Sequence, residues 1–123
     1  MFDYVAYAKQ LRHELHQVPE LGFDLPETTA YVVKALEELG IEPQTQYGQC
    51  SVVGIPYTVD EVGPSSIVAT MNPGKSFTIG LRADMDALPL QELSNNPFPS
   101  KHEGIMHACG HDVHTASLLA AGK

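Results

Sequence analysis

A short run near the end of the chain concentrates its metal-binding side chains. Residues 102–114 contain four of the six histidines and one of the two cysteines, and the core of the run reads HACGHDVH over 107–114. Thiolate, imidazole and carboxylate groups bind transition-metal ions well, and so dense a cluster fits a metal site better than a hydrophobic core. The chain must therefore fold so that these side chains converge, with further ligands brought in from elsewhere.

Composition limits the class of protein. A length of 123 residues with 43% hydrophobic residues suits one globular domain, and we assign residues 1–123 to a single domain. The chain has 15 acidic and 7 basic residues, for a formal net charge of −8. Such a charge repels phosphate groups, so we expect neither nucleic acid nor a membrane as a partner. The start lacks the basic and apolar regions of an export signal, which predicts a cytoplasmic location.

The first 40 residues carry two helical patterns. Asp3 is a plausible N-cap, and apolar residues recur at near-helical spacing from there until Pro19. Pro26 suits the first turn of a second helix, for which Gly40 is a natural stop. The pattern predicts two helices before the first strand.

Strand signals follow, and then a third helix. Residues 51–55, 66–71 and 76–81 are rich in Val, Ile, Thr and Phe, which favours strands. Residues 72–75 form a turn signal, which predicts a hairpin between the last two strands. A helix is predicted from about Asp112 onwards. The alternation of helices and strands indicates an α/β fold.

Cys109 and His111 are the strongest candidate ligands. Gly110 between them permits the sharp turn that would let both side chains reach one ion. Two ligands cannot hold a catalytic ion alone, because zinc sites of that kind use three protein ligands and a water. The further candidates within the chain are Asp84, Asp86, His107, Asp112 and His114.

Several of these residues admit a second interpretation. Asp86 and Asp112 suit an outer role, in which a carboxylate accepts the other ring N–H of a metal-bound imidazole. Asp84 and Asp86 could instead cap a turn after a strand. Arg82 can pair with Asp84 or bind a substrate carboxylate, and pairing is the favoured interpretation. We expect Cys109 to remain a free thiol rather than to form a disulfide with Cys50.

The three remaining histidines are interpreted as solvated. His102 stands between Lys101 and Glu103 in a polar loop. His13 and His16 lie three apart on the first helix and are read as its exposed edge.

Two blocks carry a resemblance to a known family. Residues 82–89 (RADMDALP), Glu92 and residues 104–116 (GIMHACGHDVHTA) closely resemble the amidohydrolase branch of the M20 metallopeptidase family. That branch includes hippurate hydrolases, N-acyl-amino-acid amidohydrolases, auxin-conjugate hydrolases and N-acetyldiaminopimelate deacetylases. Residues 15–23 (LHQVPELGF) and the following Thr28 and Thr29 resemble the opening helix pair of the family.

The resemblance implies a fold and a set of site residues. The fold is the N-terminal part of a zinc-peptidase-like catalytic domain, with a mixed β-sheet flanked by helices and without the lid domain. Cys109 matches a cysteine that contacts both ions of a dinuclear centre, and His111 matches a histidine ligand. Asp86 matches a catalytic acid beside the metals. His107, Asp112 and His114 match positions near the centre. The two divalent ions would be Zn²⁺ or Mn²⁺, with Co²⁺ or Ni²⁺ as alternatives.

The implied reaction is hydrolysis of the amide bond of a small N-acyl amino acid. In the family, a metal-activated water attacks the amide carbonyl and a glutamate acts as general base. That glutamate and the other ligands lie downstream of the second block, so we expect a truncated chain that binds metal weakly and has no turnover alone. Association into a homo-oligomer through surfaces left uncovered is a further hypothesis.

Two other classes of function stay open. The chain could be a small metal-binding or interaction module without catalysis. It could also be a cysteine hydrolase, with Cys109 as nucleophile and His107, His111 or His114 as base.

Overall fold

Three helices and three short strands are assigned among the residues that the structure describes. A computed structural model describes residues 1–44, 53–54, 68–69, 76–77 and 79–123. In chain order the elements are α1 (Tyr4–His16), α2 (Pro26–Glu38), β1 (Pro43–Gln44), β2 (Val53–Gly54), β3 (Val68–Ala69) and α3 (His111–Ala121). The three helices lie where the sequence predicts them.

Both N-terminal helices begin with a carboxylate cap. Asp3 Oδ1 accepts a hydrogen bond from the Ala6 amide at 3.0 Å, which confirms the predicted N-cap of α1. The cap of α2 comes from the preceding loop, where Glu20 accepts from the amides of Glu27 at 3.1 Å and Thr28 at 2.8 Å. Gly40 follows α2 with a φ of +73°, a backbone conformation that favours glycine and ends the helix.

The short strands pair in both directions. β2 pairs with β1 antiparallel and with β3 parallel, which gives a mixed three-stranded arrangement in the order β1, β2, β3. β2 and β3 fall within the predicted strands 51–55 and 66–71.

The prediction of a third strand over residues 76–81 is wrong. None of the described residues between 76 and 81 belongs to a strand, and the predicted turn at 72–75 lies outside the described residues. Aromatic and β-branched residues favour a strand only when a partner and a packing surface are present. Phe77, Ile79 and Leu81 are instead 77%, 71% and 61% exposed.

The segment after residue 81 enters the core between the helices. Ala83, Met85 and Ala87 are buried, and the Ala87 amide donates to the Glu20 carbonyl oxygen at 2.7 Å. Because side chains alternate along an extended segment, Asp84 and Asp86, which lie between these buried residues, face the start of α3. The apolar cluster that supports this segment comprises Leu11, Leu15, Leu25, Val32, Ala35, Leu36, Met85, Ala116 and Leu119.

Among the described residues, no helix has both the length and the apolar character that a membrane crossing requires.

Candidate metal centre

The turn into α3 places two histidines on one face. Gly110 has a φ of +88°, where a side chain would be strained, and α3 begins at the next residue. His111 and His114 are three residues apart, so they project from the same side of the first turn. Their ring centroids lie 5.4 Å apart.

Asp84 completes a group of three candidate ligands. Asp84, His111 and His114 each offer one ligand atom, and these atoms all lie within 4.8 Å of one another. Asp84 Oδ2 lies 3.6 Å from His111 Nε2, and the Asp84 carbonyl oxygen accepts from Thr115 Oγ1 at 2.9 Å. One carboxylate and two imidazoles suit a first-row divalent ion such as Zn²⁺, Mn²⁺, Co²⁺ or Ni²⁺. The residues present therefore fit a metal ion.

Asp86 holds the ring of His111 in place. His111 Nδ1 lies 2.9 Å from the carbonyl oxygen of Asp86 and 3.0 Å from its Oδ1. Both atoms are acceptors, so Nδ1 carries the hydrogen and Nε2 is free to face a metal ion. Asp86 thus contacts the ring of His111, as expected, and the role of His111 as a metal ligand stays a prediction.

Two further predictions concern neighbours of this group. Arg82 Nη1 lies 2.5 Å from Asp84 Oδ1, which confirms the predicted pairing. Cys109 is a free and exposed cysteine, and Cys50 lies outside the described residues. Among the residues that the structure describes, the clustered ligand group includes neither Cys109 nor Asp86. The ligand role of Cys109 stays a prediction.

Asp112 has partners that the sequence did not suggest. It is buried, and its Oδ2 accepts from Arg12 Nε at 2.9 Å and from His16 Nδ1 at 2.7 Å. The sequence suggested that Asp112 accepts a hydrogen bond from a metal-bound imidazole. In the structure its carboxylate accepts from two side chains of α1 instead. The interpretation of His16 as solvated is wrong, because only 3% of the residue is exposed. The one available signal was its place in the family-like block 15–23.

Glu92 is the centre of a hydrogen-bonded loop. It accepts from the Ser100 amide at 2.6 Å and from the side chains of Ser94 and Asn96, while His16 Nε2 lies 3.3 Å from its Oε1. Burial alone would raise the pKa of the Glu92 carboxyl, but the hydrogen bonds from Ser100, Ser94 and His16 lower it to about 2. Glu92 is therefore ionised at neutral pH.

His107 and His102 differ in their surroundings. His107 is buried, and its ring nitrogens have no hydrogen-bond partner within the described part of the chain. Burial lowers the pKa of His107 to about 4, against the opposing charge of Asp112. His102 was interpreted as solvated, but it is only partly exposed: its Nδ1 lies 2.7 Å from the Pro19 carbonyl oxygen, in the loop after α1.

His13, also read as solvated, is half-buried. The His13 ring stacks on the Phe98 ring, with centroids 3.7 Å apart. The guanidinium carbon of Arg12 lies 5.0 Å from the centroid of the Phe98 ring.

The candidate ligand group consists of Asp84, His111 and His114, at the start of α3 and beside a buried segment. One carboxylate and two imidazoles in this position are typical of a metallohydrolase centre. The model of peptidase family M20/M25/M40 matches residues 80–123, the segment that contains all three members of the ligand group. Residues 80–123 are thus similar to the M20 peptidase family.

Curated relatives extend the similarity over most of the chain. Hippurate hydrolase of Campylobacter jejuni is 46% identical over 94% of this chain and 26% of its own length. N-acetyl-L-cysteine deacetylase of Bacillus subtilis is 45% identical over 90% of this chain and 23% of its own length. The chain thus spans about a quarter of the length of the curated relatives it matches.

Solved structures show the same similarity. A Bacillus subtilis protein described as a dinuclear metal-binding peptidase of the M20 family is 32% identical, with a TM-score of 0.66 over 94% of this chain and 29% of that one. A putative aminohydrolase from methicillin-resistant Staphylococcus aureus is 28% identical, with a TM-score of 0.65 over 93% of this chain and 27% of that one.

Proposed function

We propose that this chain forms the metal-binding first part of a catalytic domain that hydrolyses the amide bond of N-acyl amino acids. The observation that carries the proposal is the group of Asp84, His111 and His114, which lies inside the segment that matches the M20 family model. The names of the relatives, a hippurate hydrolase and an N-acetyl-L-cysteine deacetylase, support N-acyl amino acids as the substrate class.

Asp84, His111 Nε2 and His114 would hold a divalent ion, with Zn²⁺ or Mn²⁺ as the first choices. Cys109, next to the turn at Gly110, is proposed as a further ligand, and by the resemblance it would contact both ions of a dinuclear centre. When bound, such ions activate a water for attack on an amide carbonyl. The chain's own contribution is orientation, because Asp86 fixes the His111 ring with Nε2 on the metal side.

Metal binding by the chain itself is the direct test. We expect the wild-type protein to bind Co²⁺, and Zn²⁺ to compete for the same site. His111→Gln and His114→Gln should each weaken binding at least tenfold, since each removes one of few ligands. His13→Gln is the matched control, because His13 packs on Phe98 and is not a member of the ligand group. Equal binding by all four proteins would contradict the site.

Cys109 has a separate spectroscopic test. If its thiolate is a ligand, the Co²⁺ protein shows sulfur-to-cobalt charge-transfer absorption, and Cys109→Ser abolishes it. An unchanged spectrum would remove Cys109 from the ligand set and leave the other three residues.

Activity requires the rest of a family catalytic domain. In a chimera, this chain would replace the matching stretch of the C. jejuni hippurate hydrolase, with which it shares 46% identity. We expect hydrolysis of hippurate or N-acetylcysteine that a chelator abolishes and that His111→Gln lowers strongly. A soluble, metal-loaded chimera that cleaves neither substrate would favour a binding module. Activity that survives the chelator but not thiol alkylation would favour the cysteine hydrolase.

A further inference from the structure

The first turn of α3 is tied to α1 through one buried carboxylate. Asp112 is 1% exposed, and its Oδ2 accepts hydrogen bonds from Arg12 and His16, which lie one helical turn apart on α1. Its other oxygen, Oδ1, accepts from the Val113 amide at 2.9 Å. Asp112 therefore joins two helices and also bonds to the backbone of the turn in which it lies.

That turn is the one that carries the histidine ligands. His111 precedes Asp112 directly, and the amides of Val113 and His114 both donate to the Gly110 carbonyl oxygen, at 3.0 and 3.2 Å. Gly110 has no side chain with which to cap the helix. The contact with α1 thus anchors, through a side chain, the backbone that carries His111 and His114 beside Asp84.

We infer that His16 and Arg12 are positioning residues for the metal site, acting through Asp112 on the first turn of α3. The inference rests on the proposed metal site and adds two residues from α1 to it. His16 is well placed for this role, because it is 3% exposed and donates from Nδ1 over only 2.7 Å. A buried hydrogen bond to a charged group is short, directional and costly to lose.

His16 faces a carboxylate from each ring nitrogen, which allows a sharp test. Nδ1 faces Asp112 and Nε2 faces Glu92 Oε1 at 3.3 Å. The side-chain amide nitrogen of asparagine takes the place of Nδ1, whereas that of glutamine takes the place of Nε2. His16→Asn can therefore keep the bond to Asp112, and His16→Gln can keep only the bond to Glu92.

The experiment measures Co²⁺ affinity and the visible spectrum of the bound ion in the 123-residue chain. Removal of a group that orients a metal ligand typically costs about 10 to 100-fold in affinity, and we expect that loss for His16→Gln. We expect His16→Asn to stay within about threefold of wild type, since an outer hydrogen bond is retained. His13→Gln, on the same helix but stacked on Phe98, is the control and should match wild type.

A second variant and a second measurement guard against simple loss of folding. Arg12→Gln removes the other donor to Asp112 at a side chain that is 32% exposed, and should weaken Co²⁺ binding in the same direction. Hydrogen exchange should quicken in both His16→Gln and Arg12→Gln at the amides of Val113 and His114 but not at Gly122. The core variant Leu36→Ala, which lowers stability without touching Asp112, should bind Co²⁺ as wild type does.

The outcomes separate this inference from the proposed site. Normal Co²⁺ binding and an unchanged spectrum in His16→Gln and Arg12→Gln would overturn the positioning role and leave the metal site standing. Equal losses in His16→Asn and His16→Gln would also overturn it, because the bond to Asp112 would then not be what matters. If wild type binds no Co²⁺, the proposed site and the positioning role both fail.

Discussion

His111 Nδ1 lies 2.9 Å from the carbonyl oxygen of Asp86, although 25 residues separate the two in sequence. A backbone carbonyl can only accept a hydrogen bond, so this contact fixes which ring nitrogen carries the hydrogen. The remaining nitrogen, Nε2, faces Asp84 Oδ2 at 3.6 Å. The RADMDALP block thus supplies a candidate ligand from Asp84 and an orienting contact from Asp86, on one short segment.

Asp86→Ala should weaken metal binding without removing the site. The substitution deletes the 3.0 Å contact from Oδ1 but leaves the backbone carbonyl in place, so His111 keeps its tautomer and loses a charged partner. We expect about tenfold weaker Co²⁺ binding, at the low end of the usual range for such contacts. A competition titration against a chelator measures it. Asp24→Ala, in the exposed loop before α2, is the control, and equal affinities in the two variants would count against the orienting role.

Glu92 should make the folded state sensitive to acid. Its pKa is about 2 in the folded protein, against an ordinary value of 4.5, so the unfolded chain takes up the proton first as the pH falls. Its contribution to stability is complete above the ordinary value and is lost between about pH 5 and pH 2. Glu92→Gln should therefore lower the free energy of unfolding at pH 6 and flatten its fall at lower pH. Urea unfolding at a series of pH values measures both effects.

Glu103→Gln is the control for the pH series of Glu92→Gln. Glu103 is exposed, so Glu103→Gln should leave the pH dependence of wild type in place. A profile for Glu92→Gln that runs parallel to wild type between pH 5 and pH 2 would show that the Glu92 hydrogen bonds do not favour the ionised form.

The helices could be predicted because their signals are local. Asp3 caps α1 as its position suggests, and Gly40 ends α2 with a positive φ. The strand predicted over 76–81 depended on a partner elsewhere in the chain, which local propensity cannot supply. The residues that are described there lie outside any strand.

The candidate site also contains residues that could be predicted from the sequence and residues that could not. Asp84, His111 and His114 could be named as candidate ligands from their residue types and their places in the two blocks, and the structure brings them together; that they bind a metal stays a prediction. His16 could not, because a histidine on a helix edge is usually solvated, and its bond to Asp112 joins residues that are 96 apart in sequence. Periodicity describes the helix but does not say what covers it.

Glu20 should contribute to stability as the cap of α2. Its carboxylate accepts from the amides of Glu27 and Thr28, although Leu25 occupies the N-cap position of that helix. Glu20→Ala leaves two amides of the first turn without this acceptor, one of them on the buried residue Thr28. We expect a loss of about 1–2 kcal/mol in urea unfolding, as for other helix caps. Glu37→Ala, exposed at the far end of α2, should change stability little, and similar losses in both variants would argue against the cap.

Leu15 on α1 should be among the most costly positions to truncate. Leu15 is 1% exposed and belongs to the apolar cluster that packs α1, α2 and α3 together. Leu15→Ala removes buried methyl groups and leaves a cavity, so we expect a loss of about 2–5 kcal/mol in the free energy of unfolding. Val5→Ala, at a position on the same helix that is 64% exposed, should cost less than about 0.5 kcal/mol. Urea unfolding of both variants measures the difference, and equal midpoints would mean that α1 does not pack on the core through Leu15.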